Sequence, residues 1–187
     1  MMSGMSELPH TMDVEDVIAR RREPAYDCTM AKALDVVSTR SAMLLLREAF
    51  YGTSRFDDFT VRVGISEPVA AARLKELVAH GLLVREPYRE AGQRTRYAYR
   101  LTDKGADLAP ALVALLRWGE RWETEAGGPV QLTHTGCGEP VDAEIRCRAG
   151  HRVSPEEIHV ARSAEAGRLR ALREAARAAS DSDSGAA

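Results

Sequence analysis

The sequence predicts a mainly α-helical chain with one small β-hairpin, followed by a short C-terminal extension with a hairpin and helix of its own. Three observations carry that expectation. Apolar residues recur at helical intervals between Met30 and Val78. The pattern then switches to short β-rich runs on either side of Ala91-Gly92, the signature of two strands around a turn. Helical spacing returns from Leu108 to Trp122 and stops at Gly127-Gly128-Pro129.

The elements follow in order. Residues 1–25 are polar with mixed charge and read as a flexible arm, with a short helix at 13–22. CTMAKALDVV, from Cys28, places Met30, Ala33, Leu34 and Val37 on one helical face. Ser38-Thr39 interrupts that helix and caps the next, SAMLLLREAFYG, which Gly52 terminates. TSRFDDFTVRVG predicts a short helix with Phe56 and Phe59 one turn apart, ending before Gly64. In ISEPVAAARLKELVAHGLL, Ser66 is a helix N-cap and Pro68 is tolerated in the first turn, where amides lack partners anyway. Ala70, Leu74, Leu77 and Val78 form the buried face of that helix, about 66–80, and Gly81 ends it. LLVREPY and RTRYAYRLT make the hairpin, 84–101, and Thr102 caps one last long helix over 105–123. Beyond it, Ser154-Pro155-Glu156-Glu157 starts a further helix reaching about Arg177, and 179–187 read as a disordered tail. The expected organisation is thus an arm (1–25), a main domain (26–125), an extension (129–178) and the tail.

Composition narrows the function. A 44% hydrophobic fraction is enough for a packed core, and no run approaches the roughly 18 to 20 apolar residues that span a bilayer. The N-terminus lacks a signal-peptide layout, and three cysteines argue against a disulfide framework. A cytoplasmic protein without membrane contact is expected. A net charge of −2 gives no global attraction to nucleic acid. The hairpin differs locally: Arg85, Arg89, Arg94, Arg96, Arg100 and Lys104 outnumber Glu86, Glu90 and Asp103. Short helix, turn, capped helix and basic hairpin, in that order, describe a winged helix-turn-helix. A helix fits the major groove, and the hairpin beside it reaches the phosphate backbone.

The run from Cys28 to about Trp122 resembles the HxlR-type winged-helix regulators, relatives of the MarR group. The resemblance rests on the Cys-x3-Ala-Leu-Asp opening, the LLLRE helix, RFDDF, the Ile-Ser…Arg-Leu-x-x-Leu-x-x-x-Gly-Leu helix and the Tyr-x-Leu-Thr-x-Lys-Gly ending. It implies a dimeric transcriptional regulator whose recognition helix enters the major groove and whose terminal helices build the dimer. The chain departs from the family pattern at Ser41, where a tryptophan is usual, at Pro68 for a frequent lysine, and at Ala70 for a common leucine.

Candidate DNA-contacting residues are Ser66, Glu67, Ala71, Arg73 and Lys75 on the recognition helix, with Arg89, Arg94 and Arg96 around the hairpin tip. Arg73 is also placed to pair with Glu76 or Asp57. The expected partners are double-stranded DNA with a palindromic operator and a second copy of the chain, the latter covering apolar surface around Trp118 and Trp122. The resemblance also implies control by an oxidant or a small-molecule effector. Cys28, at a helix N-terminus that favours a thiolate, is the candidate redox sensor; a half-buried core cysteine is the alternative.

HTGCGEPVDAEIRCRAGH holds two ligand-like pairs, His134-x2-Cys137 and Cys147-x3-His151. Such Cys/His sets suit structural zinc; the alternative is a plain β-hairpin, GEPVDAEIRC, in which cysteines and His134 pack. No cofactor is otherwise required. No His-Glu-x-x-His helix, phosphate loop or nucleophile elbow supports an enzyme. A protein-interaction or zinc-binding regulatory module without direct DNA readout is the competing function.

Overall fold

A computed structural model of the chain describes residues 28–89, 95–125 and 128–159. The expected arm helix, the Ala91-Gly92 turn with Arg94, the C-terminal helix and the tail lie outside the described residues. The chain divides into two compact units, one of them Ala25–Glu144; in the other the described residues run from Ile145 to His159.

The first unit runs α1 (Thr29–Val37), α2 (Arg40–Phe50), α3 (Phe56–Val63), α4 (Glu67–Ala79), β1 (Leu83–Tyr88), β2 (Arg96–Leu101), α5 (Asp103–Ala106) and α6 (Ala109–Trp122). The predicted interruption between α1 and α2 is present. Thr39 adopts extended backbone and its Oγ1 accepts from the Ala42 amide at 3.1 Å, starting a new helix. Ser41, where the family places tryptophan, is half-buried, and its hydroxyl stands 3.4 Å from that of Thr39. Here a small polar contact occupies the corner.

The core is built by α2, α3, α4 and the start of the hairpin. Leu45, Leu46, Phe59, Leu74 and Leu77 are essentially inaccessible, together with Leu82 and Leu83 beneath them. Each such side chain contributes about 1.5–3 kcal/mol by leaving water. The α3–α4 turn is three residues, Gly64-Ile65-Ser66, and opens with Gly64 at φ +68, a conformation that a Cβ would strain. Ala70 is fully buried in α4, so the small residue in place of a leucine still faces the core.

β1 and β2 form a two-stranded antiparallel ribbon in the register Leu83↔Leu101 to Tyr88↔Arg96. An element not predicted from sequence ties this ribbon to the helices. Arg55 pairs with Ala98 as an isolated bridge, and the Tyr99 amide donates to Ser54 O at 2.8 Å. Tyr99 then meets Phe59 edge-on, with ring centroids 6.3 Å apart. The ribbon is therefore anchored to the N-terminal end of α3.

The single long helix expected over 105–123 is two helices. Thr102 does act as a cap, accepting from the Gly105 amide at 3.1 Å, but only for α5. Pro110 lacks an amide and its ring clashes with the carbonyl four residues back, so the helix stops and restarts as α6. Gly105 packs so closely that a Cβ would run into the Leu82 carbonyl. Thr102 also donates to Gly81 O at 2.6 Å, fastening the end of β2 to the start of β1.

After α6 the chain is held back against it. Arg117 donates to Val141 O from Nε at 3.0 Å and from Nη2 at 2.7 Å, and it pairs with Glu120 and Asp142. The Glu120 carboxylate and the Asp142 charge push its pKa further above the ordinary arginine value.

Candidate nucleic-acid interface

Helix α4 presents two contrasting faces. Ala70, Leu74 and Leu77 point into the core, while Glu67, Pro68, Ala71, Ala72 and Lys75 are exposed and Arg73 is half-buried, as the sequence predicts. Val69 is exposed as well, adding an apolar contact that sequence reasoning did not single out. Ser66 is the N-cap residue in extended backbone, but its hydroxyl makes no capping bond. Its carbonyl receives the Ala70 amide at 2.9 Å. Arg73 pairs with Glu76, three residues on, both side chains substantially exposed. Such a pair contributes at most about 1 kcal/mol and yields readily to a phosphate. The 13 residues of α4 give a helix of about 20 Å, enough to lie in a major groove about 12 Å wide.

The hairpin's cations are more organised than their count suggests. Arg100 bonds Glu86 diagonally across the strands at 2.8 Å, and Arg96 pairs with Asp57 of α3 at 3.4 Å. Arg85 stacks 3.4 Å from the centroid of Tyr97, and Arg55 lies 5.4 Å over Tyr88. Lys104 donates to His80 O at 2.7 Å. Arg89 is exposed and immediately follows β1, at the edge of the described residues. The exposed pairs hold side chains in place without removing their charge from reach of a polyanion. The α4 face and the ribbon thus put Arg73, Lys75, Arg89 and Arg96 on exposed or half-exposed positions of one compact unit.

The remaining sequence candidates are placed as follows. Cys28 is the exposed residue immediately before α1, in extended backbone, and does not cap the helix with its side chain. In the first unit, His134 O accepts from Gly138 N at 2.7 Å, His134 N donates to Glu139 O, and His134 Nδ1 stands 3.2 Å from Cys137 Sγ. In the second unit, Cys147 N donates to His151 O at 3.0 Å and Gly150 N to Cys147 O at 2.9 Å. The expected hairpin across GEPVDAEIRC is replaced by two tight turns, each centred on one His/Cys pair and flanked by a bridge, Thr133↔Pro140 and Arg146↔Arg152. The positive-φ glycines 138 and 150 set those turns, and they were legible as turn residues. Among the described residues no group of three or more metal-ligating side chains comes together. Ser154 and Glu157 complete a reciprocal capping box, but only a single 3-10 turn, Pro155–Glu157, follows within the described residues. A hydrogen bond from its own backbone, and after it one from the Ser154 side chain, hold the Glu156 carboxyl below its ordinary value. No helix among the described residues is long and apolar enough to cross a membrane.

Comparison with known proteins decides the family. Residues 36–126 match the HxlR-like helix-turn-helix model. The HTH-type transcriptional regulator Rv3095 of Mycobacterium tuberculosis, itself uncharacterised, is 39% identical over 157 residues, spanning 83% of this chain and 90% of that protein. The chain belongs to the HxlR-like helix-turn-helix family. Among solved structures, PA1607, a candidate transcription factor, superposes with a TM-score of 0.64 at 37% identity, covering 73% of this chain and 95% of that one. PA1374 from Pseudomonas aeruginosa gives 0.52 at 33% identity, with 73% and 93% covered. The HxlR-like protein is accordingly a winged helix-turn-helix, DNA-binding transcriptional regulator.

Proposed function

We propose that this HxlR-like regulator works as a homodimer in the cytoplasm, without enzymatic activity, placing α4 in the major groove and the hairpin on the flanking backbone of a palindromic operator. The carrying observation is the division of α4: its large apolar residues are all spent on the core except Val69, leaving small residues and Lys75 facing outward. Ala71 and Ala72 permit close approach and offer apolar contact to thymine methyls. Lys75 and Arg73 supply phosphate or guanine contacts, and Ser66 and Glu67 stand at the helix N-terminus, where backbone amides favour a phosphate. Arg89, Arg94 and Arg96 take the backbone.

Dimerisation is supported by surface that a monomer rarely exposes. Leu115, Trp118 and Trp122 lie on one face of α6, 57%, 55% and 63% exposed. Met30 and Leu34 of α1 are 65% and 47% exposed, although their helical spacing marks a buried face. A second copy gives two recognition helices related by a twofold axis, matching the two halves of a palindrome.

A gel-shift assay on the promoter of the adjacent, divergently transcribed gene tests the reading. A retarded complex competed only by specific DNA supports it. Binding that no specific sequence distinguishes favours the protein-interaction alternative. Control by thiol oxidation at Cys28 belongs to the same proposal, supported by its exposure at a helix N-terminus; peroxide that leaves operator affinity unchanged dismisses it. The 3.2 Å approach of His134 Nδ1 to Cys137 Sγ suits a ligand pair, and the Cys147-x3-His151 spacing offers a second, so zinc in the protein is also proposed, with a structural role. Metal analysis of purified protein checks it: stoichiometric zinc supports that role, and its absence from freshly purified protein refutes it.

A further inference from the structure

The core residues of α4 fix which of its other residues stand outermost. Successive residues of a helix are turned by about 100°, and the buried Ala70, Leu74 and Leu77 mark the inward side. Pro68 and Ala72 then lie within about 30° of the outward direction, and Lys75 within about 50°. Ala71 falls about 90° away, and Glu67 and Arg73 further still, on the flanks. Val69 stands beside the outermost line, three residues before Ala72, and is 44% exposed. Pro68, Val69 and Ala72 therefore make one contiguous exposed patch on the first turns of the helix.

None of these three side chains can donate or accept a hydrogen bond. Arg73, a residue type able to read guanine, lies on a flank and is engaged by Glu76. Lys75 borders the patch with an exposed cation. Such a surface is blind to the donor and acceptor pattern of base edges. The thymine methyl is the apolar group that a base edge presents in the major groove. Proline and alanine lose essentially no side-chain entropy when they are covered, so even a small contact is retained. Along the helix axis, Pro68 to Ala72 spans about 6 Å. Base pairs stack about 3.4 Å apart, so the patch covers two neighbouring pairs.

We infer that this regulator recognises its operator through thymine methyl groups. Each half-site carries two neighbouring thymines, on either strand, against Pro68, Val69 and Ala72, and Val69 is a specificity-determining residue. Lys75 and the cations of the hairpin hold the backbone and carry no sequence information. The inference rests on the proposed placement of α4 in the major groove and names the class of sequence that α4 takes there.

The test selects duplex DNA from a random pool with the full-length protein and then measures affinity for the selected operator by fluorescence anisotropy. Two neighbouring thymines are expected in both half-sites. Replacing either by uracil removes the methyl group alone and keeps the base pair. Affinity is expected to fall about three- to fivefold per methyl, the scale of covering one such group. The log–log salt slope should stay unchanged, because no phosphate contact is lost. Cytosine in place of a thymine should also weaken binding, and 5-methylcytosine should recover part of that loss. Val69→Ala trims an exposed side chain, so its thermal midpoint should match that of the native chain. It is expected to weaken the thymine operator about threefold and the fully uracil-substituted operator not at all. Half-sites without the thymine pair, or uracil held as tightly as thymine, overturn the inference and leave operator binding standing. An equal loss on both operators for Val69→Ala overturns the assignment of Val69. A protein that selects no sequence overturns the inference together with the proposed function.

Discussion

Helices α4 and α6 have similar lengths, 13 and 14 residues, yet they leave opposite kinds of surface uncovered. Helix α4 buries Ala70, Leu74 and Leu77 completely and exposes mostly small or charged side chains. Helix α6 buries only Val113 fully and leaves Leu115 and both tryptophans of the chain exposed. A face of small residues and cations suits a wet, anionic partner; a face with two bare indoles suits a dry one. In the proposed function, the contrast gives DNA to one helix and a second copy of the chain to the other.

The severest way to break the comparison is at the junction that joins the two regions. Gly105→Ala drives a methyl into the Leu82 carbonyl, backbone that cannot move aside. A loss of about 3 kcal/mol is expected, read as a fall of about 10 °C in thermal midpoint, with DNA binding and dimerisation lost together. An unchanged midpoint would show that the α5 contact is looser than described.

Separating the regions needs changes on one face only. Trp118→Glu with Trp122→Glu is expected to convert the dimer to a monomer by multi-angle light scattering. Operator affinity should fall about a hundredfold, because one half-site at a time is then held. A dimer that survives both substitutions locates the interface elsewhere. On the other helix, Lys75→Ala should leave the dimer intact, weaken DNA about three- to tenfold, and reduce the log–log salt slope by about 1. A slope that does not change removes Lys75 from the phosphate contacts.

The smallest effect concerns pH. The Tyr51 phenol is raised above its ordinary 10.0, chiefly by burial, so the unfolded chain ionises first as pH rises. The neutral phenol's contribution is full below about pH 10 and is lost as pH climbs through the folded value. Denaturant midpoints at about pH 9 and about pH 11 should therefore differ more for the native chain than for Tyr51→Phe. Equal differences would mean that Tyr51 ionises as freely folded as unfolded.

The two regions also differ in how well the sequence announced them. Helical periodicity, the Thr39 cap, the Gly64 turn and the alternation around the hairpin were all readable, because they depend on neighbours within a few residues. The inward and outward positions of α4 followed from the same spacing. The break at Pro110 was equally local, yet the apolar spacing from Leu108 onward masked it. Long-range partners were not readable. Nothing in Arg55 foretells its bridge to Ala98, or in Arg117 its hold on Val141. The charges of the wing looked like a loose basic patch, whereas Glu86 and Asp57 already engage Arg100 and Arg96. Glu48, buried and paired with the half-exposed Arg47 beside it, reads as an ordinary surface charge until α2 is seen packed on both sides.

Hydroxyl-radical footprinting on an operator selected from random DNA tests the central assignment most directly. Two protected half-sites are predicted, related by a palindrome and centred about 10 base pairs, one helical turn, or a multiple of that apart, with lost protection when Lys75 is replaced. A single unsymmetrical footprint, or a palindromic one indifferent to substitutions on α4, would contradict the account.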